Sequence, residues 1–337
     1  WLGKRSLEEH RKEKDRESSF SSALRERIGH HYYGEAWANN IKKLLAEKGL
    51  LNRPIHILSA NLHSVMNVCY GFAALPELTA EVSNLEELAR LLSQSDQGQL
   101  RQQVRQFALD HGMYQIDDIS GTNISVQVFD TAHFKAGQLP AEVACDPQYL
   151  EKEKPVILVM DYAFGEQAFE TMDELLKPFG KKQLNIQSIG IMGKAGILEG
   201  QKGDIMVATA HVFEGTADNY PLHNELQKSD FEGHGLDIYE GPMITVLGTS
   251  LQNREILRFF LESSWSAVGL EMEGAHYQKA IQAASQIRGT ISSAVRLMYA
   301  YYASDNPLET GSTLASGSLG LDGVRPTYLI TTQMLGK

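Results

Sequence analysis

The chain has 337 residues, 42% of them hydrophobic, and a formal net charge of −11. On a scale of about 100–200 residues per domain that length suggests two domains, and the apolar fraction excludes a disordered chain. The acidic balance argues against a nucleic-acid partner, which needs a basic face, but leaves room for a small anion held locally.

Residues 1–20 alternate dense charge and read as a solvated helix or flexible arm. The chain starts at Trp1, without an initiator Met or an apolar signal core, and is expected to begin inside a longer one. An amphipathic helix is predicted from about Ser22 to Gly49, with Ala36, Ile41, Leu44 and Leu45 on its core face. Pro54–Leu58 reads as a short buried strand running into a helix start at Ser59–Ser64. Helical patterns follow at Leu85–Leu92 and Leu100–Leu109. Asn123–Phe129 alternates as a strand, with Ile124, Val126 and Val128 on one face. Residues 21–150 are therefore expected to form a small N-terminal α/β domain, ending at a polar linker, Asp146–Pro155. Cys69 and Cys145 lack metal-ligand spacing and suit free thiols in a reducing compartment. No apolar run reaches the roughly 18 residues of a membrane span, so a cytoplasmic protein with no membrane partner is expected.

Beyond the linker, Pro155–Met160 is a continuous apolar run, the pattern of a strand buried on both faces. Further strands are predicted at Ile186–Ile191, Asp204–Ala210, Met243–Leu247 and Ile291–Met298, with helices at Gln167–Leu176 and Glu273–Ala284. Strands alternating with helices predict a layered α/β domain over residues 151–337.

Three segments there carry chemistry. Gly190, Gly193 and Gly196 follow a buried strand; such a glycine-rich turn lets backbone approach a ligand, though most are simply tight turns. Leu270-Glu271-Met272-Glu273-Gly274 places two carboxylates around a methionine at a strand-to-helix junction. A carboxylate there suits a vicinal diol and a methionine suits a sugar's apolar face, while an acidic helix start explains the same residues. Ser304-Asp305-Asn306-Pro307-Leu308 follows an apolar strand, where ligands of open α/β sheets sit, and reads equally as a turn. No His, Cys, Asp or Glu grouping has metal-ligand spacing, and no metal or cofactor is expected.

In this order, Lys194-Ala195-Gly196, Gly203-Asp204-Ile205-Met206-Val207, Leu270-Glu271-Met272-Glu273-Gly274 and Ser304-Asp305 resemble the nucleoside phosphorylase and nucleosidase superfamily over about residues 155–335. Ser304–Leu308, Gly248-Thr249 and Asn253-Arg254 are similar to strings of bacterial AMP nucleosidases, which also carry an additional N-terminal domain. The resemblance implies a three-layer domain with a twisted mixed central sheet. It implies cleavage of the N-glycosidic bond of a purine nucleoside or nucleotide in a homo-oligomer.

It also implies roles. Asp305 would protonate the departing purine, and Glu273 would bind the ribose diol and stabilise an oxocarbenium-like sugar. Met272 would line the ribose, and Glu166, or alternatively Asp161, would position the attacking water. Ser304, Gly193 and Lys194 would complete the substrate site, with Thr249, Ser250 and Gln252 near the base. His211, Phe213 and His234 would lie within reach. Phosphorylases hold phosphate as co-substrate with an arginine in the loop after the first strand. Here no arginine occurs from Pro155 to Gln252, which favours water as the nucleophile. A phosphate-dependent enzyme and a non-catalytic nucleoside-binding protein remain the alternatives.

Overall fold

The computed structural model describes residues 11–12, 30–135, 137–214, 216, 218–248, 253–309 and 319–337. The charged arm expected over residues 1–20, apart from 11–12, lies outside the described residues, as do Thr249, Ser250 and Gln252.

Among the described residues, ten strands make one mixed sheet. In chain order they are β1 Ile55–Ser59, β2 Met113–Ile116, β3 Val126–Asp130, β4 Val156–Met160, β5 Ile186–Ile197, β6 Ile205–Phe213, β7 Asn219–Pro221, β8 Ile238–Thr245, β9 Gly269–Glu271 and β10 Arg296–Asp305. β5 organises them. Along one edge it pairs in parallel with β1 and, further on, antiparallel with β9; along the other it pairs in parallel with β10. The pairings β10–β6, β6–β8 and β8–β9 then close a five-strand ring back onto β5. On the far side, β1 leads to β4, β3 and β2 as an open sheet.

This topology corrects the expected division near residue 150. β1 lies between β4 and β5, parallel to both, so strands from either side of that point share one sheet. β1 is apolar at Ile55, Ile57 and Leu58, all nearly inaccessible, because both of its faces are covered. Such a strand carries no mark of the sheet to which it belongs. The expected linker is also structured: Asp146 accepts the N–H of Gln148 and starts α5, Pro147–Glu153.

Helices cover both sheet faces. One core combines Ile57, Ile189 and Ile191 of the sheet with α1 (His30–Glu47), α6 (Gln167–Leu175) and α8 (Gly274–Gln282). Ile41 and Leu45 are fully buried in it, and Trp37 Nε1 donates to Ile124 O at 2.9 Å. The opposite core combines Leu58, Met192 and Met298 with α2 (Leu62–Ala74), α3 (Leu85–Leu92), α4 (Gly98–Asp110) and α9 (Val324–Gly336). α7, Arg254–Glu262, packs Leu257 against β8 and β9 near the ring.

The glycine-rich segment is strand rather than turn. Gly190, Gly193 and Gly196 all lie within the twelve residues of β5. Their smallness serves packing: a Cβ on Gly190 would stand 2.6 Å from Leu58 Cδ2, and one on Gly193 2.6 Å from the Tyr301 ring. The strand expected at Ile291–Met298 runs instead over Arg296–Asp305, because the ladder with β5 begins at Arg296 and continues to Asp305.

No helix among the described residues is long and apolar enough to cross a membrane.

Candidate functional site

The ladder around Gly196 brings distant sequence together. Gly196 of β5 is registered with Asp305 of β10 on one side and Leu270 of β9 on the other. Two strand spacings, about 10 Å, thus separate the backbones that lead into Ser304-Asp305 and Glu271-Met272-Glu273. Both segments end strands, so their side chains reach the sheet rim.

A cavity of about 400 Å³ lies there, a size suited to a small organic ligand. The sequence-predicted residues Gly193, Lys194, Met272, Glu273 and Ser304 all line it. Glu273 is half-buried, and its Oε1 accepts the Gly165 N–H at 2.9 Å. Burial raises its pKa above the ordinary carboxylate range, against that hydrogen bond. Its neighbour Glu271 also lines the cavity but is tied into the framework. Glu271 accepts the Glu273 N–H at 2.6 Å, the Gly274 N–H and the Thr245 hydroxyl. Thr245 Oγ1 in turn accepts the Ala275 N–H at 3.0 Å. Together they satisfy the first N–H groups of α8, which have no intrahelical partners. Burial, and then the charge of Glu273, push the Glu271 pKa up to about 8.

Asp305 stands at the cavity's edge rather than in its lining. It is 6% exposed and directly follows Ser304, whose hydroxyl donates to Asp305 Oδ1 and contacts Ala195 O at 3.1 Å. Among the described residues, Asp305 Oδ2 is buried without a hydrogen-bond partner. Burial raises its pKa, while the charge of Lys194 opposes the shift.

Glu166 does not join the lining. It is exposed at the N-cap of α6, where a carboxylate faces the positive end of a helix while staying hydrated. Its loop enters the cavity instead through Tyr162, Ala163 and Phe164, while Asp161 is spent accepting the Tyr162 N–H at 2.9 Å. His211, Phe213 and His234 also lie outside the lining. His211 is fully buried behind Tyr301, bonded to its hydroxyl at 2.8 Å, with burial lowering its pKa to about 3. Phe213 packs edge-on against His276, and His234 is exposed.

Sequence reasoning missed Ser59 and Tyr277, which line the cavity and share a hydrogen bond of 3.0 Å. Ser59 ends β1, and the end of an apolar strand was the available signal. Its assignment to a separate domain concealed it.

The chain is therefore an α/β protein whose half-closed mixed sheet carries an acid-lined cavity at strand ends. A family model described as "Family of unknown function (DUF6909)" matches residues 87–337, and the chain belongs to that family. None of the curated proteins matches it. Among solved structures it is similar to futalosine hydrolase of Helicobacter pylori, at 14% identity and a TM-score of 0.47, covering 84% of this chain and 97% of that one. It is similar to the 5′-methylthioadenosine/S-adenosyl homocysteine nucleosidase of Campylobacter jejuni, at 12% identity and a TM-score of 0.48, covering 85% and 99%. A third is the Streptococcus pneumoniae MTA/SAH nucleosidase in complex with 8-aminoadenine, at 10% identity and a TM-score of 0.46, covering 84% and 99%.

Proposed function

We propose that the cavity binds a purine nucleoside or nucleotide and that the chain hydrolyses its N-glycosidic bond. The observation that carries this reading is Glu273. Its carboxylate is half-buried in a wall of Met272, Tyr301, Ser304 and Gly193, with one oxygen fixed by a backbone N–H. A carboxylate so placed accepts the hydroxyls of a ribose diol and opposes positive charge developing at C1′. Tyr301 and Met272 supply apolar surface for the ring systems.

Asp305 acts as the acid for the leaving base in this reading. Burial favours its protonated form, and its Oδ2, unpartnered among the described residues, is the oxygen able to carry that proton. Glu166, exposed at the start of α6, receives no part in activating water. Glu273 is the cavity carboxylate left for that role, since Glu271 is committed to three donors.

The position of Asp305 outside the cavity lining favours a second reading, a nucleoside-binding protein without turnover. Incubation of the full chain with adenosine, AMP and inosine, with and without phosphate, separates the possibilities by chromatography of the released base. Release without phosphate is the expected result. Binding with no release establishes the second reading, and release that requires phosphate replaces hydrolysis by phosphorolysis.

A further inference from the structure

Beside the first cavity lies a larger one, about 660 Å³, enclosed by the start of α2, by α4 and by the N-terminal part of α9. Its charged walls have one sign. Arg101, Arg105 and Lys194 line it, and among the described residues no Asp or Glu does, in a chain with 42 acidic residues. The arginines are held by neutral groups. Arg101 Nη1 donates to Leu92 O at 2.8 Å and Gln94 O at 2.6 Å, and Arg105 Nε donates to Gln115 Oε1 at 3.1 Å. Neutral acceptors orient a guanidinium while leaving its charge uncompensated. Among the described residues neither arginine is paired with a carboxylate.

The two cavities share a wall. Lys194 lines both. The N-terminus of α2 is not the anchor, because Asn61 Oδ1 already accepts the N–H groups of His63 and Ser64. The cations carry the site.

We infer that the larger cavity is a binding site for a phosphate group, held by Arg105 and Arg101 with Lys194 at the junction. Arginine's planar donors match phosphate oxygens, and a concentration of positive charge in an acidic protein draws an anion to one place. The phosphate comes either on a nucleotide whose base and sugar fill the Glu273 cavity or as free inorganic phosphate. The first source rests on the nucleoside reading above; the phosphate site itself does not.

Calorimetry on the full chain with AMP, adenosine and inorganic phosphate tests this, together with Arg105→Gln. Arg105 is exposed and outside the Glu273 cavity, so the variant keeps the parent's melting temperature. If the phosphate is carried on the nucleotide, AMP binds at least about tenfold more tightly than adenosine, and Arg105→Gln removes most of that difference while adenosine affinity stays the same. If it is free, inorganic phosphate binds, Arg105→Gln weakens it about tenfold, and AMP and adenosine bind alike. Either result falls off steeply with salt. Phosphate ligands that fail to bind, or that bind regardless of Arg105→Gln, overturn the inference. The nucleosidase reading fails separately: AMP binding that depends on Arg105 without release of adenine leaves the phosphate site standing. Adenine release with no phosphate recognition does the reverse.

Discussion

The carboxylate of Glu271 accepts the backbone N–H of Glu273 at 2.6 Å, which divides the two acids around Met272 between framework and cavity. Substitution separates them. In Glu273→Gln the amide oxygen still accepts the Gly165 N–H, but the negative charge is gone. Base release is expected to fall roughly 10²–10³-fold, the usual loss when an electrostatic stabiliser of the transition state is removed, with the melting temperature little changed. Glu271→Ala leaves two backbone N–H groups and a threonine hydroxyl unpartnered in a dry site. It should lose about 3 kcal/mol in urea denaturation. Equal stability of the two variants contradicts this division.

Asp305 is distinguished from a residue that merely holds ligand by the split between binding and turnover. Asp305→Asn preserves size and can still accept from Ser304, but it has no carboxyl proton to give. Turnover should drop by about 10²–10⁴-fold while ligand affinity stays within about threefold. In the parent, activity falls as pH rises through the raised pKa of Asp305, and that alkaline limb should be missing from the residual activity of the variant. A parallel loss of affinity and rate would instead make Asp305 a binding group.

What could be read from the sequence follows from how local each signal is. Met272, Glu273 and Ser304 were identifiable because short segments carry them, and the Gly196 ladder brings those segments to one rim. Buried strands such as Val156–Met160 announced themselves by uninterrupted apolar character. Pairing partners are a long-range property, so β1 was assigned to a separate unit and Ser59 was lost with it. Glu166 lies outside the cavity lining for a related reason. A carboxylate just before a helix is chemically suited to a site and equally suited to a hydrated helix end, and only the loop's path decides between them. β9, three residues long, had no pattern to detect because its ladder partners hold it in place.

Stability should peak near neutrality for an identifiable reason. The Glu271 pKa is raised from 4.5 to about 8, so between those values the folded chain keeps a proton that the unfolded chain has lost. Its contribution is full below 4.5 and disappears as pH rises through 8. His56, hydrogen-bonded to Ser188 at 2.7 Å and Tyr149 at 2.9 Å, is lowered from 6.5 to about 4 by burial and then by Arg296. His211 is lowered to about 3 by burial. Below 6.5 the unfolded chain takes up two protons that the folded histidines refuse, and stability falls with pH. From these three groups the maximum lies near pH 6.5, where the histidine slope ends and the glutamate slope continues. Urea midpoints at pH 5, 6.5 and 8 read it directly. Glu271→Gln should flatten the alkaline side, and His56→Gln should flatten the acid side, where two histidine protons run against one from Glu271; unchanged slopes in both would reject the assignment.

Gly274 tests whether the cavity depends on the packing behind it. Its φ is not in the left-handed region, so alanine meets no backbone penalty there and only space is at issue. A Cβ would stand 2.5 Å from His211 Nε2 and 2.6 Å from the Tyr301 hydroxyl, the two atoms that bond each other at 2.8 Å. Neither ring can retreat easily, since both side chains are nearly inaccessible. Gly274→Ala should therefore cost about 1–3 kcal/mol, typical of an overpacked core. Because Tyr301 also lines the cavity, the displaced ring should weaken ligand binding as well. His211→Ala in the same chain opens the space that the new methyl needs. The double variant should then recover part of the stability lost by Gly274→Ala, whereas independent sites would simply add their losses. Simple addition would mean that the two side chains do not compete for one volume, and that the wall behind the cavity is softer than its burial implies.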